Sequence, residues 1–241
     1  MKIVAHQPEY LPWLGYFAKI SVADVFFFSD HLQYAIKDFQ NRNNILQSGA
    51  KQMLSVPVVT KGRVDQSIRD VEIERGAPWA RKHIRTLRQA YQGHPYYTRY
   101  APRLEEIYAE HWDKLCDLDI TLIKQMAEWL DITVPMRLSS ELSLKEHKTR
   151  LLIEMCEKTG ADTFVSGRGA AAYVEPALFA EKKLRHLFFR FAHPTYLQKG
   201  AVDGAFVSHL STLDLLFNCG PESGQILRQA VAASLLASVP Q

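Results

Sequence analysis

The chain has 241 residues, of which 47% are hydrophobic and 23% charged, so it is long enough to bury one large core or two small ones. A formal net charge of +3 is weak for this length. It argues against a nucleic-acid partner but allows a local cationic pocket. No apolar run approaches a membrane span and no signal region precedes the first strand, so we expect a cytoplasmic protein with no membrane partner.

The chain opens with the pattern of a βαβ unit. Residues 2–7 form a short apolar run that predicts a strand, and a helical pattern follows from Pro12, which suits a first helical turn because its missing N–H costs nothing there. Residues 24–30 are apolar, bounded by acids, and predict a second strand. A strand–helix–strand crossover of this kind implies that the strands are parallel.

The polar turn after the first strand is the first candidate site. His6, Gln7, Pro8 and Tyr10 fall where parallel α/β sheets bind ligands, between a strand end and a helix N-terminus. We hypothesise that His6 contacts an anionic oxygen of an activated donor. The alternative is that His6 is a hydrogen-bonded core residue.

The rest of the chain predicts a mostly parallel α/β sheet with flanking helices and a helical insertion. The period of the apolar residues becomes helical over residues 78–131, which we read as three helices that insert into or cap the sheet. Further strands are predicted at 51–60, 68–73, 134–138, 163–165 and, as the last strand, 187–191, and further helices at 148–158, 176–183 and 213–217. Cys116 and Cys156 lie in helical patterns and should be buried thiols; the cysteine spacing predicts no disulfide and no metal site.

An Asn-rich segment at residues 39–45, predicted as a loop, is the second candidate site. Arg42 could bind a phosphate or carboxylate between Asn41 and Asn43, and we expect it to converge with His6 and Ser166 at one sheet edge. Asn side chains that bond to their own backbone explain the segment equally well.

A glycine-rich turn after the predicted strand 163–165 is the third candidate. Ser166, Gly167, Arg168 and Gly169 could bring backbone N–H groups and one positive charge to a phosphate, with Tyr173 nearby. The segment is neither a Walker A motif nor a dinucleotide fingerprint. A plain strand-to-helix turn is an equal alternative.

Three further features carry charge or capping patterns. Lys82 and His83 lie on a cationic helix, where a solvated face is the commoner outcome. Lys148 stands at a predicted helix N-terminus, where the helix dipole disfavours a cation, and this hints at a bound anion. Ser211 and Asp214 fit an N-cap and its third residue, a structural role.

Read together, these segments resemble the WbqC-like protein family over almost the whole chain. The matching residues are His6-Gln7-Pro8, 10–17, Asp24, Asp30, Asn41-Arg42-Asn43, 56–58, Trp79, Lys82-His83, Ser139-Ser140, Lys148-Thr149, Ser166-Gly167, Gly169, Tyr173, Tyr196, Gln198, Leu210-Ser211 and 214–220. Arg168 and the alanines at 170–172 depart from the more polar stretch expected there, which puts the acceptor side of the site in doubt.

The resemblance implies a role in surface-polysaccharide synthesis, including O-antigen. Family members are proposed to attach glycine or another aminoacyl group to an amino sugar. The opening of the chain is also similar to the nucleotidyltransferase-like α/β fold, by analogy only. That analogy implies ATP with Mg²⁺ as cofactor and an acyl-adenylate route, with His6, Arg42 and Lys148 as catalytic residues and the three candidate segments binding the substrate.

Three functions stay open at this point. The chain is an aminoacyl transferase acting on an amino sugar, with or without a linked nucleotide; a nucleotidyltransferase acting on a small phosphorylated molecule; or a non-catalytic binding protein of the pathway. The first two predict a deep pocket, whereas the third predicts that the residues concerned pair with one another or face solvent; these residues are His6, Asn41, Arg42, Asn43 and Ser166.

Overall fold

A six-stranded, mostly parallel sheet forms the centre of the protein. The computed structural model describes residues 1–237. The strands are β1 (Lys2–His6), β2 (Val25–Phe28), β5 (Met136–Leu138), β6 (Thr163–Gly167), β7 (Arg185–Arg190) and β8 (Leu235–Ala237), in the spatial order β5-β2-β1-β6-β7-β8. All neighbours are parallel except β7 and β8, which are antiparallel. The predicted fold class is therefore confirmed. β8 was not predicted, because a strand of three residues carries too little pattern to be recognised.

Helices cover both faces of the sheet. They are α1 (Leu14–Ser21), α2 (Trp79–Tyr91), α3 (Tyr97–Ala109), α4 (Leu115–Trp129), α5 (Lys148–Thr159), α6 (Pro176–Glu181), α7 (Leu213–Cys219) and α8 (Ser223–Ala232). The three helices predicted within 78–131 and the helix predicted from Lys148 are present, and Gly160 ends the latter with φ +69°. In the described part of the chain, no helix is both long and apolar enough to cross a membrane.

Two cores result from the alternation of side chains along the strands. Val4, Phe26 and Phe28 point into the larger core, which also takes residues from α1 to α4, α7 and α8. Ile3, Phe27 and Phe164 point the other way, into a smaller core beneath α5 and α6. Strands covered on both faces read as nearly continuous apolar runs, which is why they could be predicted. Cys116 and Cys156 are buried free thiols, as expected.

The segment between β2 and α2 differs most from the sequence prediction. The predicted loop 39–45 is a turn only at 39–41, since Arg42 begins β3 (Arg42–Gln47), which pairs with β4 (Ala50–Ser55) in an antiparallel hairpin apart from the main sheet. β4 is shorter than the predicted strand 51–60 because the chain turns away before Pro57. The strand predicted at 68–73 is instead a 3₁₀ turn at Ile68–Asp70 followed by isolated bridges. Ile68 and Val71, both fully buried, are three residues apart, which is the period of that turn.

The carboxylate of Asp214 connects the hairpin, α2 and the C-terminal part of the chain through a network of hydrogen bonds. It accepts hydrogen bonds from Tyr91 Oη (3.0 Å), Tyr196 Oη (2.7 Å) and Gln198 Nε2 (2.7 Å). The Tyr91 hydroxyl in turn accepts from the backbone N–H of Leu46 in β3. Burial raises the pKa of Asp214, and the three donors oppose that shift. The predicted capping role is wrong for Asp214, because its buried carboxylate accepts these three hydrogen bonds, whereas Oγ of Ser211 does accept a hydrogen bond from the N–H of Leu213 at the start of α7.

We expect Asp214→Ala to lower the free energy of unfolding by about 3 kcal/mol or more, because it leaves three donors without their acceptor in the interior. Urea denaturation measures the change. Asp117→Ala, at an exposed position of α4, is the matched control and should change stability by no more than about 0.5 kcal/mol. Equal effects of the two substitutions would show that Asp214 does not hold these elements together.

Candidate functional site

A cavity of about 820 Å³ opens at the carboxyl ends of β1, β6 and β7. Its size is within the range of about 300–1,000 Å³ that is usual for small-molecule sites. Eight predicted site residues line it: His6, Gln7, Lys148, Ser166, Gly167, Arg168, Gly169 and Tyr173. The strand-end turn, the glycine-rich turn and the start of α5 are therefore brought together, as the parallel topology predicts.

The cavity is lined from both sides of the sheet edge, and these two sides are here called its lobes. Ile3 lies opposite Phe164 in the register of β1 and β6, so alternation places His6 on the α1 side and Ser166 on the α5 side. Trp13, Gly15 and Lys19 line the first lobe with His6. Leu151, Leu152, Met155 and Tyr173 line the second with Ser166. The strand ends between the lobes are where two bound molecules could meet.

The Asn-rich segment does not contribute to this cavity. Asn41 Nδ2 donates to the carbonyl of Val56, and Asn43 Nδ2 donates to the carbonyls of Tyr10 and Leu11. Both amides are buried and hold the hairpin against the turn after β1. Arg42 begins β3 and does not line the cavity, so it does not converge with His6 and Ser166 there. Arg42 Nε instead donates a hydrogen bond to Oδ1 of Asn41 (3.3 Å).

Four other predicted residues also lie away from the cavity. The Tyr10 hydroxyl bonds to Nδ1 of His83 (2.7 Å) and to the Tyr108 hydroxyl, in a buried network between the turn and α2. Burial lowers the pKa of His83 to about 4 and keeps it neutral. Lys82 is exposed on α2, in agreement with the alternative that it belongs to a solvated face. Pro8 is buried in the turn.

Four cations line the cavity: Lys19, Lys148, Arg168 and Arg190. None of the described lining residues is acidic. Lys148 has φ +52°, an uncommon conformation for a residue with a side chain, and it stands in the first turn of α5. Strain and an unfavourable dipole at one cavity residue point to a role for its charge. The arrangement suits a ligand with several negative charges.

Lys19 and Glu9 lie beside His6 and were not predicted. The Lys19 amine sits over Gly167, where a Cβ would lie 3.4 Å from Nζ. Within the described residues it makes no hydrogen bond or ion pair. Burial lowers the pKa of Lys19, against the opposing effect of nearby Glu9, and burial raises the pKa of Glu9. A single lysine in the otherwise apolar helix Leu14–Ser21 was the signal available in the sequence.

His6 lines the cavity as a neutral imidazole whose Nε2 can accept a hydrogen bond. Its Nδ1 donates to the carbonyl of Gln7 (3.1 Å), and its ring edge meets Tyr16. Burial and the charge of Lys19 lower the pKa of His6 to about 3. With the proton on Nδ1, Nε2 carries a lone pair. This differs from the hypothesis that His6 contacts an anionic oxygen, because Nε2 suits a ligand N–H or O–H.

An aromatic wall completes the first lobe. Trp13 stacks on His209, with ring centroids 5.0 Å apart, and meets Phe191 edge to face. A Cβ on Gly15 would overlap the Trp13 ring, so only glycine fits there. His209 has φ +60°. A planar ring and a charged group could therefore bind side by side.

We expect Lys19 to react with an amine-specific reagent at lower pH than the exposed Lys61. Burial favours the uncharged amine, which is the reactive form. Mass spectrometry of acetylated peptides across pH 6–11 measures both residues in one sample. Glu9→Gln should lower the midpoint for Lys19 further, because the carboxylate that stabilises the ammonium is gone. Equal midpoints for Lys19 and Lys61 would contradict the prediction.

Comparison with known proteins finds a family and a relative whose sequences match nearly the whole chain. The WbqC-like protein family matches residues 7–226. An uncharacterised protein of Mycobacterium tuberculosis is 35% identical over 228 residues, which cover 94% of this chain and 97% of that protein. No solved structure matches the chain, so the analogy to nucleotidyltransferases stays a prediction. The chain belongs to the WbqC-like protein family.

Proposed function

We propose that this protein is a transferase that attaches glycine or another aminoacyl group to an amino sugar in surface-polysaccharide synthesis. The cavity that joins two lobes at the strand ends, with four cations and no acid among its described lining residues, is the observation that carries the proposal. A cationic cavity suits an acyl donor activated by phosphate, and its two sides offer the donor and the acceptor separate places. A nucleotide-linked amino sugar would place the reaction in the cytoplasm.

ATP fits this cavity through its phosphates and its ring. Lys19, Lys148 and Arg168 would hold the phosphates, and the Trp13 wall would lie beside the base. When bound, ATP would supply the activation of the carboxylate. Mg²⁺ fits less well, because the described lining offers it no carboxylate, and we assign it no step.

The chemistry requires an uncharged amine at the acyl carbon. The amine nitrogen forms a bond to that carbon, the bond from the carbon to the leaving phosphate oxygen breaks with its electron pair on that oxygen, and one proton passes from the nitrogen to solvent. A neutral His6 with a lone pair on Nε2 suits this step, since it accepts a hydrogen bond from the amine and orients its lone pair. The cations would stabilise the leaving phosphate.

Two observations weigh against the alternative functions. A nucleotidyltransferase acting on a phosphate acceptor has no need of a histidine that presents a lone pair to the acceptor. A purely structural cluster would pair its charges directly, whereas Lys19 lies near Glu9 but, within the described residues, makes no ion pair or hydrogen bond with it.

We expect His6→Ala to reduce turnover on the order of 100-fold, because the amine is no longer oriented. His6→Gln should retain part of the activity, since its amide oxygen can accept the same hydrogen bond. Mass spectrometry of products from ATP, glycine and a panel of nucleotide-linked amino sugars measures turnover, and thermal unfolding is followed on the same preparations.

His111→Gln, at an exposed position, is the matched control and should be fully active. Lower stability of His6→Ala with full turnover per folded molecule would make His6 a core residue. The absence of any glycylated product from the wild-type protein across the panel would refute this choice of acyl group and acceptors.

A further inference from the structure

His186, which lies behind the cavity wall, forms a hydrogen-bonded pair with Ser166. The two side chains are on neighbouring strands: His186 lies opposite Phe164 in the register of β6 and β7, and Ser166 follows Phe164 by two residues on the same face. Nε2 of His186 and Oγ of Ser166 are 2.8 Å apart. Ser166 lines the cavity, whereas His186 does not. Each residue is only 6% exposed.

The surroundings of His186 keep its ring neutral. Phe164, Phe179 and Phe188 pack around it, with ring centroids 6.3, 4.9 and 4.5 Å from that of His186. This apolar environment lowers its pKa to about 4. Nδ1 is buried and has no hydrogen-bond partner among the described residues. One of the two ring nitrogens therefore carries a proton, and only Nε2 has a partner.

The unpartnered nitrogen indicates which tautomer is present. A proton on Nδ1 would be a buried donor without an acceptor, which is rarer in proteins than an under-satisfied acceptor. If the proton is on Nε2, that N–H donates to Oγ of Ser166, and the ring has no donor without an acceptor. The serine oxygen then receives a hydrogen bond, and its own hydroxyl hydrogen is left for a partner in the cavity.

We propose that His186 is a positioning residue that donates Nε2–H to Ser166 and thereby directs the Ser166 hydroxyl as a donor toward an anionic oxygen of the bound ligand. Lys148 and Arg168 line the cavity with Ser166 and bring positive charge to the same ligand. The ligand part of this inference rests on the proposed function, which places a phosphorylated molecule in the cavity.

The pair does not have the features of a nucleophilic serine. A serine nucleophile needs a base that takes its proton, and a third group that stabilises the imidazolium formed. His186 has an apolar aromatic environment instead, and its Nδ1 faces no carboxylate among the described residues. The imidazolium would be unstable, so the hydroxyl acts through its hydrogen bond.

The tautomer is measured by ¹⁵N NMR of histidine-labelled protein without ligand. We expect the His186 shifts of an imidazole protonated on Nε2 and bare on Nδ1. A merely structural histidine has no need of this tautomer. A proton on Nδ1 would overturn the inference, whatever the cavity binds.

Ligand binding is measured by calorimetry with inorganic pyrophosphate as the probe. Ser166→Ala should weaken binding about tenfold, the usual loss for one hydrogen bond to a charged group. His186→Phe, a ring of similar size in an aromatic environment, should fold and weaken binding by a similar factor. The double variant should be no weaker than Ser166→Ala alone, because His186 acts through Ser166.

Three results would overturn the inference while the proposed function stands: pyrophosphate binding that survives both substitutions, fully additive losses, or acyl transfer that leaves a mass increase on Ser166. A wild-type protein that binds neither pyrophosphate nor ATP would instead refute the proposed function, and the ligand part of this inference with it.

Discussion

The parallel pairing of β1 with β6, and of β6 with β7, is the constraint on which the site depends. Parallel strands end on the same side of a sheet, so residues separated by about 160 positions in sequence, such as His6 and Ser166, lie on adjacent strands. The pairing is fixed by apolar side chains that alternate between two cores. A shift of one residue would exchange those two sets, and so the cores hold the register of the site.

Three residues around this edge of the sheet have a locally unfavourable backbone conformation or charge. Lys148 combines a left-handed backbone with a cation in a first helical turn, and Lys19 keeps an amine without a partner among the described residues on an apolar helix. His209, on the aromatic wall, is also left-handed. Each feature costs stability, and cores elsewhere compensate. The occurrence of all three features at one cavity favours a binding site there over a purely structural core.

The sheet and most helices were predictable from the sequence because their apolar residues recur with the period of a strand or a helix. The turns after β1 and β6 were predictable as sites because they follow the ends of predicted strands. The sequence did not predict that Asn41 and Asn43 satisfy backbone carbonyls, because a loop amide and a ligand-binding amide look alike until the hairpin is seen. Lys19 and His186 went unrecognised for a related reason. Lys19 lies over Gly167 and His186 is hydrogen-bonded to Ser166, and both neighbours belong to β6. Spacing along the chain cannot show such contacts.

The two neutral histidines of the site have complementary roles that follow from their hydrogen bonds. His6 donates from Nδ1 to a backbone carbonyl and so presents a lone pair in the α1 lobe. His186, as we infer, donates to Ser166 and so presents a hydroxyl hydrogen in the α5 lobe. An amine needs an acceptor and an anionic oxygen needs a donor, and these two groups come from adjacent parallel strands but from opposite faces of the sheet. The missing side chain of Gly167 leaves room for the Lys19 amine above it, and a Cβ on Gly169 would meet no atom within 4 Å, so the cavity is open beside Gly169.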